Sequence, residues 1–338
     1  MEYVDLAKGF MQEQVDYVHG FLPTKLAASV VVALIVNVIT TVVSFIFDHF
    51  IRGEASVKRF GKWAVVTGAT DGIGLAFAEQ FAKRGLNVVM ISRSKDKLDD
   101  KAREISDKCP NVEIKTLAID FSTIRDANVQ KKIGKFLEGL EIGILVNNVG
   151  ISYQYPKYFH ELDDERVTAL MTLNAEATTW MTRIVLDQGG MVARKRGAVI
   201  NMASIAGVAT SPLLAQYGAV KGLIAQQTRA LHYEYASKGI YFQCQVPLFV
   251  TTRMSRLRKA SLTIASESQY AKAGIKALAN MTGVVVSPYW SHAIQYSILQ
   301  MLPEPVAAYF IGTLTHIPIR KAGMRKDAKA AEEASKSR

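Results

Sequence analysis

The chain has 338 residues, 49% of them hydrophobic and 21% charged, a composition that supports a large buried core and excludes intrinsic disorder. Only two cysteines occur, Cys109 and Cys244, far apart, which excludes a disulfide framework, and six scattered histidines with no pair at ligand spacing predict no metal site. The formal net charge of +11 suits nucleic acid, an anionic membrane surface or a phosphorylated ligand. No basic stripe with interleaved aromatics occurs, so nucleic acid is not expected as a partner.

The first element in chain order is "LAASVVVALIVNVITTVVSFIF", Leu26 to Phe47, with no charge across it. As a helix rising about 1.5 Å per residue it reaches roughly 33 Å, enough for a hydrocarbon core of about 30 Å. Residues 26–47 are therefore expected to be a transmembrane helix in a lipid bilayer. Upstream, Glu2, Asp5, Glu13 and Asp16 outweigh Lys8 and Lys25, whereas Arg52, Lys58, Arg59 and Lys62 follow the apolar run. The positive-inside rule then makes 1–25 a short lumenal segment and turns the rest of the chain to the cytosol.

From Gly61 to about Pro247, short apolar runs alternate with longer amphipathic stretches: "WAVVTG", "NVVMIS", "VEIKTLAI", "IGILVNN", "GAVINMAS" and "IYFQCQV". That alternation predicts βαβ units on one Rossmann-type, doubly wound parallel sheet, an α/β fold. The first strand runs into "TGATDGIG", where Gly68, Gly72 and Gly74, with Ile73 between the last two, allow a sharp turn, close approach of a phosphate and tight packing of the next helix. This turn predicts dinucleotide binding. The second strand ends "ISRSK", with Arg93 where an NAD site commonly has an acid. A guanidinium there suits a 2′-phosphate and favours NADPH; the plainer reading is an exposed arginine at a strand end.

Further along, "YGAVK" places Tyr217 and Lys221 four apart on one helix face. Such a pair is either two surface neighbours or a phenolic proton donor whose pKa an adjacent ammonium lowers. Ser204 ends the fifth strand thirteen residues earlier, "NNVG" (Asn147 to Gly150) closes the fourth, and Asn174 follows in "TLNAEA". Strand ends on this side of an open parallel sheet are where ligands bind.

In these elements the sequence resembles the short-chain dehydrogenase/reductase family, whose Thr-Gly-x-x-x-Gly-x-Gly, Asn-Asn-x-Gly, Asn, Ser and Tyr-x-x-x-Lys elements occur here in order between about Lys62 and Met254. The resemblance implies that Tyr217 protonates a substrate carbonyl oxygen and that Lys221 binds the nicotinamide ribose and lowers the tyrosine pKa. It implies that Ser204 holds the carbonyl and Asn174 positions a water linking Lys221 to solvent. Asp120, ending the third strand, is similar to the family's adenine-contacting acid, and Asn147 to its sheet-stabilising asparagine beside the cofactor. After the sixth strand the family often has Asn-Pro-Gly, whereas this chain has "VPLFVTTRM"; Val250 and Thr252 keep the rest of that pattern and are expected at the nicotinamide amide. No obvious seventh strand is visible.

The anchor, "TGATDGIG", "VPLFVTT" and "VSPYWSHA" together resemble a membrane-bound branch of very-long-chain 3-oxoacyl-CoA reductases and related 17β-hydroxysteroid dehydrogenases. The resemblance implies NADPH-dependent reduction of long-chain 3-oxoacyl-CoA in fatty-acid elongation at the endoplasmic reticulum membrane. It also implies a homodimer and other elongation enzymes as partners. A ketosteroid is the alternative substrate, and a non-catalytic membrane-anchored interaction protein the minor one. "TTRMSRLRK", Thr251 to Lys259, is either a receiver of coenzyme A phosphates or a solvated surface. The apolar Pro305–Ile319 is too short to span and is expected to pack on the domain or rest at the interface, which gives a catalytic domain over 61–319. The last part, 320–338, reads as a charged, disordered tail in which Lys336 lacks the second lysine of a retrieval signal.

Overall fold

A computed structural model describes residues 8–9, 11–14 and 24–336. Most of the expected lumenal segment 1–25 lies outside the described residues. The first long helix covers Thr24–Ile46, continuing through a π turn to Ile51. Over Ala28–Ile51 its mean hydropathy is 2.7 and none of it is buried against the protein, so by length and composition it is a candidate membrane span. Its apolar side chains, such as Leu34 and Val43, point outward without a protein partner.

Seven parallel strands follow: β1 (Trp63–Thr67), β2 (Asn87–Ser92), β3 (Ile114–Ala118), β4 (Ile142–Asn147), β5 (Gly197–Met202), β6 (Ile240–Gln245) and β7 (Val285–Val286), in the spatial order β3-β2-β1-β4-β5-β6-β7. β1, β4, β5 and β6 are buried along their whole length, because helices cover both faces. One apolar layer packs the Gly72–Lys83 and Glu267–Asn280 helices on the sheet around Phe77, Phe81, Ile275 and Leu278. The other packs the Ala127–Leu137 and Ala177–Asp187 helices around Ile133, Leu137, Met181 and Val185. The order reverses direction between β1 and β4, and the crevice above their C-terminal ends is the site such sheets use for ligands.

Two expectations are corrected. A seventh strand exists: β7 is two residues long and lies parallel to Cys244 and Gln245 of β6, too short to leave an alternating pattern in the sequence. The charged tail is helical: Ile317–Lys336 forms one helix. Its alanines, lysines and glutamates are strong helix formers, and the helix continues directly from the preceding π turn. The apolar stretch before it divides its faces. Ala307, Gly312 and His316 are buried, whereas Tyr309, Phe310 and Leu314 are exposed.

Between the candidate span and the sheet, the linker docks on the C-terminal end of the Glu267–Asn280 helix. Arg52 and Arg59 donate to the carbonyls of Asn280 and Ala279, at 3.2 and 2.6 Å, satisfying acceptors that a helix end leaves open. The Asn280 side chain accepts from Ala55 N–H and donates to the Gly53 carbonyl, and Lys276 reaches the His49 carbonyl.

Candidate active site

The glycine turn is built from main chain packed on main chain. Gly68 and Gly72 have φ of +65° and +57°, which a side chain would strain, and a Cβ on Gly74 would run into the Gly68 carbonyl and the Asn148 amide. The Gly68 N–H donates to the Ile91 carbonyl, and Thr70 meets Ser92 at 3.2 Å, so the turn is tied to the end of β2. Arg93 extends from that end and is exposed. Asp120 lies just beyond β3, exposed, its Oδ1 accepting from Ser122 N–H at 2.9 Å. Glycine turn, Arg93 and Asp120 thus share the C-terminal edge of the sheet and fit an extended dinucleotide with a 2′-phosphate.

Asn148 was missed in the sequence and is central here. Its Nδ2 donates to the Thr67 carbonyl at 3.1 Å and to Gly68 at 3.3 Å, while its own N–H and that of Val149 bond the Thr67 hydroxyl. Asn147, expected as a sheet-stabilising asparagine beside the cofactor, makes bonds of the stabilising kind. It is buried, and its amide donates to Thr182 and to Asn201, which in turn donates to Thr228. These bonds tie β4 and β5 to the helices beneath them. Successive residues of a strand point to opposite sides, so the doublet divides its work.

The reacting end is assembled from three elements. Ser204 caps a short turn after β5, its Oγ 3.3 Å from Ala206 N–H. Tyr217 and Lys221 lie on the Ala215–Tyr235 helix, and the Lys221 Nζ sits 5.8 Å from the Tyr217 ring centre. Lys221 is buried, donates to the Met202 carbonyl at 2.8 Å, and has its pKa pulled down from 10.5 to about 8 by burial. Burial pushes the Tyr217 phenol above its usual value, and the Ser204 hydroxyl beside it pulls it back. Loss of hydration is the larger influence on the phenol. The phenol stays protonated, the form that donates a proton.

Asn174 occupies a π turn, Met171–Glu176, inside a longer helical stretch. Its Nδ2 donates to Ile151 and Leu170, and its buried Oδ1 faces Gly150, where a Cβ would collide with it and reach within 3.6 Å of Lys221 Nζ. An acceptor held next to the lysine suits a proton path. Tyr153, also missed, accepts from Gln216 N–H at 3.0 Å and fixes the loop after β4 against the start of the Tyr217 helix.

After β6, Val250 is buried and paired with Ala265, and the Thr252 methyl lies 3.3 Å from where a Cβ of Gly72 would stand. Arg253 pairs with Asp71 at 3.0 Å across the same turn, while Arg256, Arg258 and Lys259 are exposed. The loops before Tyr217 and after β4 are joined by Lys157 N–H to the Leu213 carbonyl and backed by the C-terminal helices. His316 meets the Pro212 carbonyl, Arg320 pairs with Glu161, and Tyr155 donates to Asp327.

The family model described as short chain dehydrogenase matches residues 62–263. The chain belongs to the short-chain dehydrogenase/reductase family. It is an oxidoreductase of that family. Among its relatives, a rat very-long-chain 3-oxoacyl-CoA reductase is 44% identical over 248 residues, covering 73% of this chain and 77% of the relative. A chicken hydroxysteroid dehydrogenase-like protein 1 is 42% identical over 277 residues, covering 81% of both. Among solved structures, a short-chain dehydrogenase from Sphingobium yanoikuyae in complex with NADPH superposes with a TM-score of 0.61 at 26% identity, over 70% of this chain and 92% of that one.

Proposed function

We propose that this short-chain reductase converts long-chain 3-oxoacyl-CoA to 3-hydroxyacyl-CoA with NADPH, as the reductive step of fatty-acid elongation. Its place would be the endoplasmic reticulum membrane, with the catalytic domain on the cytosolic side. The observation that carries the reading is the convergence of Ser204, Tyr217, Lys221 and Asn174 beside the glycine turn, in a chain 44% identical to a very-long-chain 3-oxoacyl-CoA reductase. When bound, NADPH supplies the hydride that reduces the ketone. Ser204 would hold the carbonyl oxygen and Tyr217 would give it the phenolic proton as charge develops there. Lys221 would bind the ribose and, with Asn174, return a proton to Tyr217. Gly68, Gly72, Ile73 and Gly74 would cradle the phosphates, with Arg93 at the 2′-phosphate, Asp120 at the adenine, and Val250 and Thr252 at the amide.

The candidate span supports an acyl substrate, since a long chain partitions into lipid at about 0.8 kcal/mol per methylene. A homodimer and association with other elongation enzymes fit the same reading. A ketosteroid is the second reading, supported by the 42% identical hydroxysteroid dehydrogenase-like relative. Side-by-side turnover by the detergent-solubilised full chain separates the two. NADPH oxidation with long-chain 3-oxoacyl-CoA is expected to be the faster; equal or faster turnover of estrone would overturn the assignment.

A further inference from the structure

The loop Pro247–Thr252 joins the two ends of the site. The Pro247 carbonyl accepts from the N–H of Ile205, the residue after Ser204, at 3.1 Å, and Thr252 stands over Gly72. The sequence between these anchors lacks the Asn-Pro-Gly common in the family, so another element must fix its path. One side chain touches it at two successive residues. His292, on the Trp290–Met301 helix, has its Nδ1 3.4 Å from Leu248 N–H and its Nε2 3.0 Å from the Phe249 carbonyl. At these contacts the ring meets the N–H of Leu248 and the carbonyl of Phe249, with the Thr263 backbone as a further partner; a neutral ring that donates from Nε2 to Phe249 can accept at Nδ1.

His292 is fully buried, with the Tyr289 and Tyr270 rings 5.1 and 6.1 Å away. Burial without a carboxylate partner lowers its pKa to about 4, which keeps the ring neutral. A neutral imidazole with one donor and one acceptor is the form this loop needs. Residue 292 lies far along the chain from the reacting groups, yet it acts on the segment that spans them.

We propose that His292 is a positioning residue for the nicotinamide: by holding the Leu248 N–H and Phe249 carbonyl, it sets the loop that carries Val250 and Thr252 to the cofactor. This rests on NADPH as the cofactor, but not on the identity of the ketone. The test uses the full chain in detergent, with NADPH binding read by its fluorescence and hydride transfer by the isotope effect of 4-deuterated NADPH. His292→Phe fills the volume and removes both bonds. The dissociation constant for NADPH is expected to rise roughly tenfold, as for loss of buried hydrogen bonds, and the isotope effect to increase. KM for the ketone substrate should move less than about twofold, because His292 bonds the loop at Leu248 and Phe249, ahead of the basic run Thr251–Lys259. His292→Gln, which can still donate to Phe249, should recover most of the affinity. An unchanged dissociation constant and isotope effect in His292→Phe, or no recovery in His292→Gln, would overturn the proposal. If His292→Phe does not fold, His292→Asn, too short to reach both residues, carries the same expectation and the same refutation. Wild-type protein that failed to bind NADPH would sink the cofactor reading itself, a distinguishable result.

Discussion

Replacing Lys221 with methionine should change how stability depends on pH, with a sign fixed by the burial of the ammonium. The side chain is 5% exposed, its Nζ donates to the Met202 carbonyl, and its pKa falls from 10.5 to about 8. A depression of that size means that the charged form costs the folded state about 3 kcal/mol at neutral pH. In the unfolded chain the lysine keeps its proton up to about pH 10.5, whereas in the folded protein it releases it near 8. The unfolded state therefore binds more protons between these values, and the wild-type protein gains stability as pH rises through that window. Lys221→Met has no proton to lose and lacks this gain. Its stability relative to wild type should fall by about 2 kcal/mol between pH 7 and pH 10, or about 4–8 °C in melting temperature for a domain of this size. Cys244, whose thiol burial pushes up to about 12, stays protonated in both proteins across the window and cancels in the difference. Urea unfolding of the cofactor-free full chain in detergent at the two pH values measures it. A stability difference that does not change with pH would show that the ammonium is solvated or paired, and would refute the desolvated lysine.

Three further outcomes are expected. Tyr217→Phe should lower the reduction rate by about 10²-fold or more, the range for loss of a general acid, while NADPH binding survives; retained activity would refute the role of the phenol. Arg93→Asp should move preference from NADPH toward NADH, measured as the ratio of kcat/KM values, and an unshifted ratio would remove Arg93 from the 2′-phosphate. Asn280→Ala leaves the Ala55 N–H and Gly53 carbonyl without their partner, at a cost of about 2 kcal/mol. Limited proteolysis should then cut between residues 52 and 60 faster than in wild type, and equal rates would show that this joint opens without Asn280.

Much of the site was legible because each role demands a residue type at a fixed place on a strand or helix. The glycine turn, Ser204, Tyr217 and Lys221 meet as their spacing implies, since the parallel order brings every strand's C-terminal end to one edge. What escaped depends on packing. β7 has two residues and no periodicity, and the helical tail is held partly by docking that no local pattern encodes. The shift of the Tyr217 phenol follows from how much water is excluded around it, which spacing does not report. Asn148 was readable from strand parity, since its neighbour Asn147 continues β4 with its side chain turned inward. The role of His292 was not readable, because the loop atoms it meets, at Leu248 and Phe249, are more than forty residues away.

The docking of the C-terminal helix carries a consequence for synthesis. The glycine turn and the Ser204–Lys221 group lie in the first two thirds of the chain, but the loops before Tyr217 and after β4 are backed by His316, Arg320 and Asp327. Those residues leave the ribosome after the rest of the cleft. A chain truncated before residue 316 should therefore still take up the nucleotide while the walls around the ketone stay loose. The two ends of the cleft should then be completed at different times, the glycine turn before the loops that the C-terminal helix backs.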